Sequence, residues 1–336
     1  MLGTRPALHR QRAQRAKIPT KFFPRIKGAA ILLVFAPVGP SADGFQFMAE
    51  ILGYVVSDRS PAYTLLMPYI TTEHLNIYFE EKGDGAPVLF ISGTGGDLRQ
   101  RPNVLNSSLP KHHRVIAYDQ RGLGQTEKPD QPYTMSEYGD DAAAMLDALG
   151  IERVDVIGVS FGGMVAQHFA IRHPSMVRKL VLCCTSPGGD MPSYPFHLIP
   201  EDLTPEERFL KLVGISDTRL DQKWQAEHPE QLQAMIKGVL RERIPDHGSS
   251  ASRMGARRQL EARSHHDVND ALSSIDLPTM ISAGRYDGIA PAANQHHMAS
   301  LIPNAVLKWY EGGHMFMIQD KNAWSDIIAF LNTPDS

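Results

Sequence analysis

The stretch Gly158-Val159-Ser160-Phe161-Gly162 decides the fold of this chain. It follows an apolar run, residues 154–157, that is typical of a strand, and it precedes a helix-like segment, residues 164–173. A serine at a sharp strand-to-helix turn has a strained backbone, so the residues two positions away on each side need to be nearly free of side chain. The two flanking glycines meet that need. The pattern therefore predicts a nucleophile elbow with Ser160 at its apex.

A serine nucleophile requires two partners further along the chain. Its hydroxyl is a weak nucleophile at neutral pH, so a histidine base and an orienting acid are needed, in the order Ser, Asp or Glu, His. Asp287 follows a strand-like run, residues 278–284, and His314 follows another, Ala305–Tyr310. Open α/β sheets place their chemistry at the carboxyl ends of the strands. We therefore expect Ser160, Asp287 and His314 to form a catalytic triad.

An oxyanion hole is expected beside the triad. The apolar run Pro87–Ile91 ends in Ser92-Gly93-Thr94-Gly95-Gly96, a loop of small residues whose backbone N–H groups can approach a reacting carbonyl. Losing one preorganised donor of this kind typically costs about 3–4 kcal/mol of transition-state stabilisation. We predict that the two donors are the backbone amides of Thr94 and of Phe161, the residue after the nucleophile.

Together these motifs resemble those of the α/β-hydrolase superfamily, and the resemblance extends over about residues 71–332. The segment Asp119-Gln120-Arg121-Gly122-Leu123-Gly124 after the fourth predicted strand belongs to the same set. The resemblance implies a mostly parallel sheet flanked by helices, with a helical cap inserted after strand six. Within the superfamily the chain is most similar to small esterases and lactonases, of the kind that includes the 3-oxoadipate enol-lactonases.

Two details refine that resemblance. Many relatives carry His-Gly where this chain has Ser92-Gly93, but the donor is a backbone amide, so we expect the hole to be retained. The serine at the elbow argues against the haloalkane dehalogenase and epoxide hydrolase branches, which use an aspartate nucleophile. Asp119 and Arg121 are interpreted as loop-bracing ion partners rather than catalysts.

The domain organisation follows from the alternation of patterns. The chain has 336 residues, 42% of them hydrophobic, enough for one sizeable core with an inserted cap. Strand-like and helical patterns alternate from Thr71 onward, as expected for a parallel sheet covered on both faces. Helical patterns without strands fill the region between the sixth and seventh predicted strands. We predict an α/β-hydrolase core of residues 67–186 and 275–336, a helical cap of residues 187–274, and a separate leader, residues 1–66.

The leader differs from the rest of the chain in charge. It holds nine Lys and Arg residues against three acids, a net of +6, whereas the whole chain has a formal net charge of −3. Its apolar stretch, residues 28–38, is far shorter than the roughly 20 residues that a membrane span needs. We favour a disordered leader, or a true start at Met67, over a targeting segment.

The predicted reaction is hydrolysis of a small-molecule ester or lactone through an acyl-enzyme, with no metal or organic cofactor. Aromatic residues are sparse in the basic leader, so no nucleic-acid partner is expected. No stable membrane span is expected, and a homodimer is left open.

Two cysteines, Cys183 and Cys184, provide no disulfide framework, which favours a cytoplasmic location, with an organellar or secretory leader as the alternative. Adjacent histidine pairs at 112–113, 265–266 and 296–297 are predicted to lie on the surface.

Two alternative classes remain at this point. Related scaffolds with a similar triad act as C–C bond hydrolases, acyltransferases or perhydrolases, and the sequence does not distinguish their pockets. A ligand receptor built on a hydrolase scaffold is the alternative from outside the enzyme class. A receptor would give at most slow, single-turnover cleavage.

Overall fold

Eight β-strands form one mostly parallel sheet within the part of the chain that the structure, a computed structural model, describes: residues 68–241 and 248–334. The strand order is β1-β2-β4-β3-β5-β6-β7-β8. The pairs β1–β2 and β2–β4 are antiparallel, and all other neighbouring pairs are parallel. The strands are β1 (Tyr69–Thr71), β2 (Asn76–Lys82), β3 (Pro87–Ile91), β4 (Arg114–Tyr118), β5 (Val154–Val159), β6 (Val177–Cys183), β7 (Thr279–Gly284) and β8 (Ala305–Tyr310).

Helices connect the parallel strands, as crossovers between parallel strands require. In the described residues they are α1 (Met135–Ala148), α2 (Phe161–Arg172), α3 (Pro205–Ser216), α4 (Gln222–Glu227), α5 (Pro229–Arg241), α6 (Ser250–Ser264), α7 (Ala292–Leu301), α8 (Phe316–Gln319) and α9 (Ala323–Leu331), with five short 3-10 helices besides.

Local sequence signals explain where α1 begins and ends. The Thr134 side chain accepts a hydrogen bond from the Glu137 amide, and the Glu137 carboxylate accepts one from the Thr134 amide. This reciprocal capping satisfies two backbone donors that the first helical turn leaves free. Gly150, just beyond the helix, has a φ of +68°, a conformation that glycine adopts without steric cost.

The sheet is buried on both faces, so its inner strands are predominantly apolar. Successive residues of β3 point to opposite sides: Leu89 and Ile91 pack in one hydrophobic cluster, and Val88 packs in the other. The first cluster includes Phe169 of α2, and the second includes Ile327 of α9. The predicted α/β-hydrolase fold class is confirmed, and the nucleophile motif lies at the centre of the sheet, on β5.

Four helices, α3 to α6, lie between β6 and β7, where the sequence predicts a cap. Helices α4 and α5 are separate because Pro229 cannot continue the first helix and begins the second. The division of the chain into core and cap at 187 and 274 stays a prediction. The predicted leader, residues 1–66, lies outside the described residues. No helix in the described ranges is long and apolar enough to cross a membrane.

Candidate active site

Ser160 lies at the turn between β5 and α2, with φ 55° and ψ −117°. A non-glycine residue with positive φ is strained, and such strain occurs where the surrounding structure enforces it. A Cβ atom at Gly162 would lie 2.1 Å from the carbonyl oxygen of Ile91, and one at Gly158 would lie 2.4 Å from the carbonyl oxygen of Gly162. The two glycines are therefore required because the strand, the turn and the helix approach each other closely.

Neighbouring strand ends hold the Ser160 backbone in place. Its amide donates to the carbonyl of Cys183 at 2.9 Å, and its carbonyl accepts from the Thr185 hydroxyl at 2.8 Å. Cys184, the residue after β6, also has a positive φ, 42°. Ser160 is thus fixed by the sheet itself and is buried.

His314 connects Ser160 to Asp287. Its Nε2 lies 2.9 Å from Ser160 Oγ, and its Nδ1 lies 2.8 Å from Asp287 Oδ2. Both residues come from loops that follow strands, β8 for His314 and β7 for Asp287. With Nδ1–H donating to the carboxylate, Nε2 is free to accept the serine proton. The structure thus brings the three predicted residues into one hydrogen-bonded chain.

Backbone groups orient both partners of Ser160. Asp287 Oδ1 accepts from the amides of Ile289 at 2.8 Å and Ala290 at 3.0 Å, so the carboxylate is directed toward His314 by its second oxygen. The His314 amide donates to the Ser216 carbonyl at 2.6 Å. Since Ser216 is the last residue of α3, the region predicted as a cap is bonded to the loop that carries the histidine.

The loop after β3 lies against Ser160. A Cβ at Gly93 would lie 3.4 Å from the Cβ of Ser160, and the Gln120 side chain donates to the Ser92 carbonyl at 2.8 Å. The backbone amides of Thr94 and Phe161, the predicted oxyanion donors, donate to no acceptor among residues 68–241 and 248–334. Both amides are therefore available to a ligand.

Helix α6 supports the same loop through two side chains one turn apart. Gln259 Oε1 accepts from the Gly95 amide at 2.9 Å, and the Arg263 guanidinium donates to Thr94 Oγ1 at 2.6 Å. Burial lowers the pKa of Arg263 to about 10, so it remains a cation at neutral pH. Neither Gln259 nor Arg263 was predicted from the sequence. Local patterns carry no signal for them, because α6 contains three other arginines that look the same in sequence.

Two further predictions are refined by the structure. Arg121 is an ion partner as expected, bound to Asp141 and Glu137, whereas Asp119 accepts from the backbone amides of Leu98 and Gln125. The expectation that all the adjacent histidine pairs lie on the surface is wrong. His113 and His266 are buried, because the segments that carry them fold beneath neighbouring elements.

His266 forms a buried pair with His168. Its Nε2 donates to the Ser186 carbonyl at 3.0 Å, and its Nδ1 lies 3.3 Å from His168 Nε2. Burial lowers the pKa of His168 to about 4 and that of His266 to about 3, so both rings are neutral at pH 7.

One group near the site has the residue types of a metal centre. Potential ligand atoms of Cys184, Asp287 and His314 lie within 4.8 Å of one another. Burial raises the pKa of the Cys184 thiol well above its usual value. The ligand atoms of Asp287 and His314 are hydrogen-bonded to each other and are therefore already engaged.

A cavity of about 300 Å³ lies beside the site, between α2, the segment after β6 and the end of α6. Met164, one turn after Ser160, lines it, as do Ser193 and Arg263. Ser160 and His314 do not line this space. Arg263, which lines the cavity and donates to Thr94 Oγ1, connects this space to the Thr94 loop.

Comparison with known proteins identifies similar chains. A family model described as "alpha/beta hydrolase fold" matches residues 86–321. A poly(3-hydroxyalkanoate) depolymerase from Ectopseudomonas oleovorans is 32% identical over 249 residues, which cover 72% of this chain and 82% of the relative. A 2-hydroxymuconate semialdehyde hydrolase from a Pseudomonas species is 31% identical over 270 residues, with 76% and 90% covered.

Solved structures show the same architecture. The crystal structure of an enol-lactonase from Burkholderia xenovorans matches with a TM-score of 0.64 at 24% identity, covering 79% of this chain and all of that one. At that identity the likeness concerns the fold alone.

Proposed function

This chain belongs to the alpha/beta hydrolase fold family, and on that premise we propose that it is a serine hydrolase that cleaves a small-molecule ester or lactone. The observation that carries the proposal is the hydrogen-bonded chain from Ser160 Oγ through His314 to Asp287, at 2.9 and 2.8 Å. The amides of Thr94 and Phe161, which donate to no acceptor in the described ranges, support it further.

The first half of the reaction forms an acyl-enzyme. His314 Nε2 takes the proton of Ser160 Oγ while that oxygen attacks the carbonyl carbon of the substrate. Negative charge develops on the carbonyl oxygen, where the amides of Thr94 and Phe161 stabilise it. Asp287 holds the Nδ1–H tautomer and stabilises the imidazolium. The tetrahedral intermediate collapses, the carbon–oxygen bond to the leaving group breaks, and the imidazolium protonates the departing oxygen.

The second half regenerates the enzyme. His314 takes a proton from a water molecule, whose oxygen attacks the acyl carbon. The same two amides stabilise the second oxyanion, and the imidazolium returns its proton to Ser160 Oγ as the acid product leaves. All the proton transfers run between the substrate, water and this chain's own side chains.

A cap formed by residues 187–274 over a core of residues 67–186 and 275–336 is part of the proposal. Two contacts support it: the carbonyl of Ser216 in α3 accepts from the His314 amide, and that of Ile215 accepts from the Gly288 amide at 2.9 Å. A segment so connected to both loops can shape the acyl pocket and exclude water from the intermediate. We also propose a cytoplasmic location, supported by two cysteines that are free and buried.

The test is covalent labelling of the purified full chain with a fluorophosphonate, with the modified residue mapped by mass spectrometry. It is combined with steady-state hydrolysis of p-nitrophenyl esters of increasing acyl length. We expect labelling at Ser160, multiple turnovers, and loss of both in Ser160→Ala. The matched control is Ser325→Ala, an exposed helical serine whose hydroxyl donates only to the Asn322 carbonyl.

The outcomes separate the alternatives. Turnover retained in Ser160→Ala would refute the assignment of the nucleophile. Labelling at Ser160 with release of a single equivalent of p-nitrophenol would favour a ligand receptor over an enzyme. A normal thermal transition in Ser160→Ala shows that loss of activity is not loss of the fold.

A further inference from the structure

Two buried arginines of this chain differ in how their charges are compensated. Arg121, 4% exposed, donates to both carboxylate oxygens of Asp141 at 2.8 Å and to Glu137 at 3.1 Å. Removing a guanidinium from water is costly unless an opposite charge and hydrogen bonds replace the lost hydration. Arg121 has both, and its role is structural.

Arg263 is as deeply buried, 6% exposed, but its protein partners are neutral. It donates to Thr94 Oγ1 at 2.6 Å and to Ser193 Oγ at 2.7 Å, and its guanidinium carbon lies 4.5 Å from the ring centroid of Phe196. Within the described ranges no acidic residue forms an ion pair with it. A guanidinium carries five N–H donors, so two hydroxyls leave much of its capacity unused.

The acidic residues nearest to Arg263 in sequence, Glu261 and Asp267, are engaged elsewhere, and the Glu261 carboxylate accepts from Arg258 at 3.0 Å. Asp267 lines the same cavity as Arg263, but its carboxylate accepts from the backbone amide of Asn269 at 3.1 Å and from its side-chain amide at 2.8 Å. Asp267 is also largely exposed to solvent. The charge of Arg263 therefore remains uncompensated at the wall of a cavity.

A second buried donor lies one turn away on the same helix. Gln259 is fully buried, and while its Oε1 accepts from the Gly95 amide, its Nε2 has no acceptor in the described part of the chain. Residues four apart on a helix share a face. Gln259 thus accepts from Gly95 and Arg263 donates to Thr94, consecutive residues of the predicted oxyanion loop, and Gln259 Nε2 is left as a donor beside them.

We propose that Arg263 binds a carboxylate of the substrate, with the Gln259 amide as an additional donor, so that the ester or lactone carries a negative charge away from its reacting carbonyl. This inference rests on the proposed function and narrows its substrate class. A planar carboxylate matches the paired N–H groups of a guanidinium, and its single charge balances the single cation. The cavity lined by Arg263 and Ser193 provides the space beside the loop.

A merely supporting role for Arg263 predicts something different. If the guanidinium acts only by positioning the loop through Thr94 Oγ1, its loss slows charged and neutral substrates by the same factor. Carboxylate binding instead changes the ratio between the two. The ratio of kcat/KM for an anionic ester to that for its neutral isostere is therefore the deciding quantity.

The experiment compares mono-p-nitrophenyl adipate with p-nitrophenyl 6-methylheptanoate, in which a branched methyl end replaces the carboxylate. We expect the anionic-to-neutral ratio to fall by about 10-fold or more in Arg263→Gln, since charge-assisted hydrogen bonds are roughly twice as strong as neutral ones. Arg263→Lys is expected to retain part of the ratio. The matched control is Arg257→Gln, which removes the same charge from an exposed position on α6 and should leave the ratio unchanged.

A second variant and a binding measurement distinguish failure of the carboxylate-binding inference from failure of the proposed hydrolase function. Thr94→Val removes the hydroxyl to which Arg263 donates and keeps the guanidinium, so we expect it to preserve the ratio. Isothermal titration of Ser160→Ala with monomethyl adipate should show binding that Arg263→Gln weakens by a similar factor. That result supports the inference even if Ser160 proves not to be the nucleophile. The inference would be overturned if Arg263→Gln changed neither the anionic-to-neutral ratio of kcat/KM nor the binding of monomethyl adipate. It would also be overturned if Arg263→Gln lowered kcat/KM by the same factor for both esters.

Discussion

Asp287→Asn exchanges one carboxylate oxygen for an amide nitrogen and leaves the size of the side chain unchanged. In the native chain, Asp287 Oδ1 accepts from the amides of Ile289 and Ala290, and Oδ2 lies 2.8 Å from His314 Nδ1. Only the carbonyl oxygen of asparagine can accept the two backbone bonds. Its NH₂ group must therefore face His314.

That arrangement reverses the histidine tautomer. The asparagine NH₂ donates to Nδ1, so the ring proton moves to Nε2, which then faces Ser160 and cannot accept its proton. In Ser-His-Asp triads this reversal lowers kcat by about 10⁴-fold, which corresponds to about 5 kcal/mol of transition-state stabilisation. The free energy of unfolding should change by only about 1 kcal/mol, the net contribution of one hydrogen bond. Asp287→Ala also loses both backbone bonds, and each buried donor left unpaired costs about 1–3 kcal/mol.

The assay measures kcat for a p-nitrophenyl ester together with the melting temperature of each variant. We expect Asp287→Asn to melt near the native temperature with almost no activity, and Asp287→Ala to lose both activity and stability. A kcat for Asp287→Asn within tenfold of the native value would refute the tautomer argument and remove Asp287 from the triad. Equal destabilisation of the two variants would refute the assigned roles of the two carboxylate oxygens.

Two further predictions concern the elbow and the buried histidine pair. Gly162→Ala places a Cβ 2.1 Å from a backbone carbonyl oxygen that cannot rotate away, so we expect a loss of about 1–3 kcal/mol of stability and little fluorophosphonate labelling of Ser160. The control is Gly238→Ala, where no atom lies within 4 Å of the added Cβ. Equal melting temperatures of the two variants would contradict the steric argument. The pKa values of His168 and His266, about 4 and about 3, lie below the ordinary value of 6.5, so on acidification the unfolded chain binds protons first and stability falls as the pH drops below about 6.5. At pH 5 the contribution of each ring to the free energy of unfolding should be about 2 kcal/mol smaller than at pH 7. Melting curves between pH 7 and pH 5 for the native chain and for His168→Gln test this. If the stability of the variant falls as steeply with pH as that of the native chain, the histidine pair is not the source of the pH dependence.

Elements fixed by local chemistry were predictable from sequence. Strands β3 and β8 have the predicted bounds because each is a short apolar or alternating run limited by glycine or polar residues. The bounds of helix α1 also follow from local signals, since the Thr134 cap and Gly150 determine its two ends. Strand ends also made the candidate site predictable. Residues that each follow a parallel strand reach one edge of the sheet, and Ser160, Asp287 and His314 do so; their catalytic role stays a proposal.

Contacts between distant segments were not predictable. Gly95 with Gln259 and Thr94 with Arg263 join residues more than 160 positions apart, and nothing in the local pattern of α6 distinguishes those two side chains from its exposed polar ones. The buried position of His266 was missed for the same reason. Burial is decided by what packs over a residue, and His266 lies beneath the segment that carries Ser186.

The backbone strain at Ser160 is maintained by the sheet and not by the helices between β6 and β7. Ser160 and Cys184 are the two non-glycine residues with positive φ in the described ranges, and they follow adjacent strands. The Ser160 amide donates to Cys183, and the Cys184 amide donates to Ser282, so parallel pairing continues one residue past β5 and β6. Residues in such conformations cost about 1–3 kcal/mol each, and these ladder bonds, with the buried core on both faces, offset that cost. The elbow therefore does not depend on α6, and substitutions at Gln259 or Arg263 should alter which substrates are accepted while the nucleophile keeps its geometry.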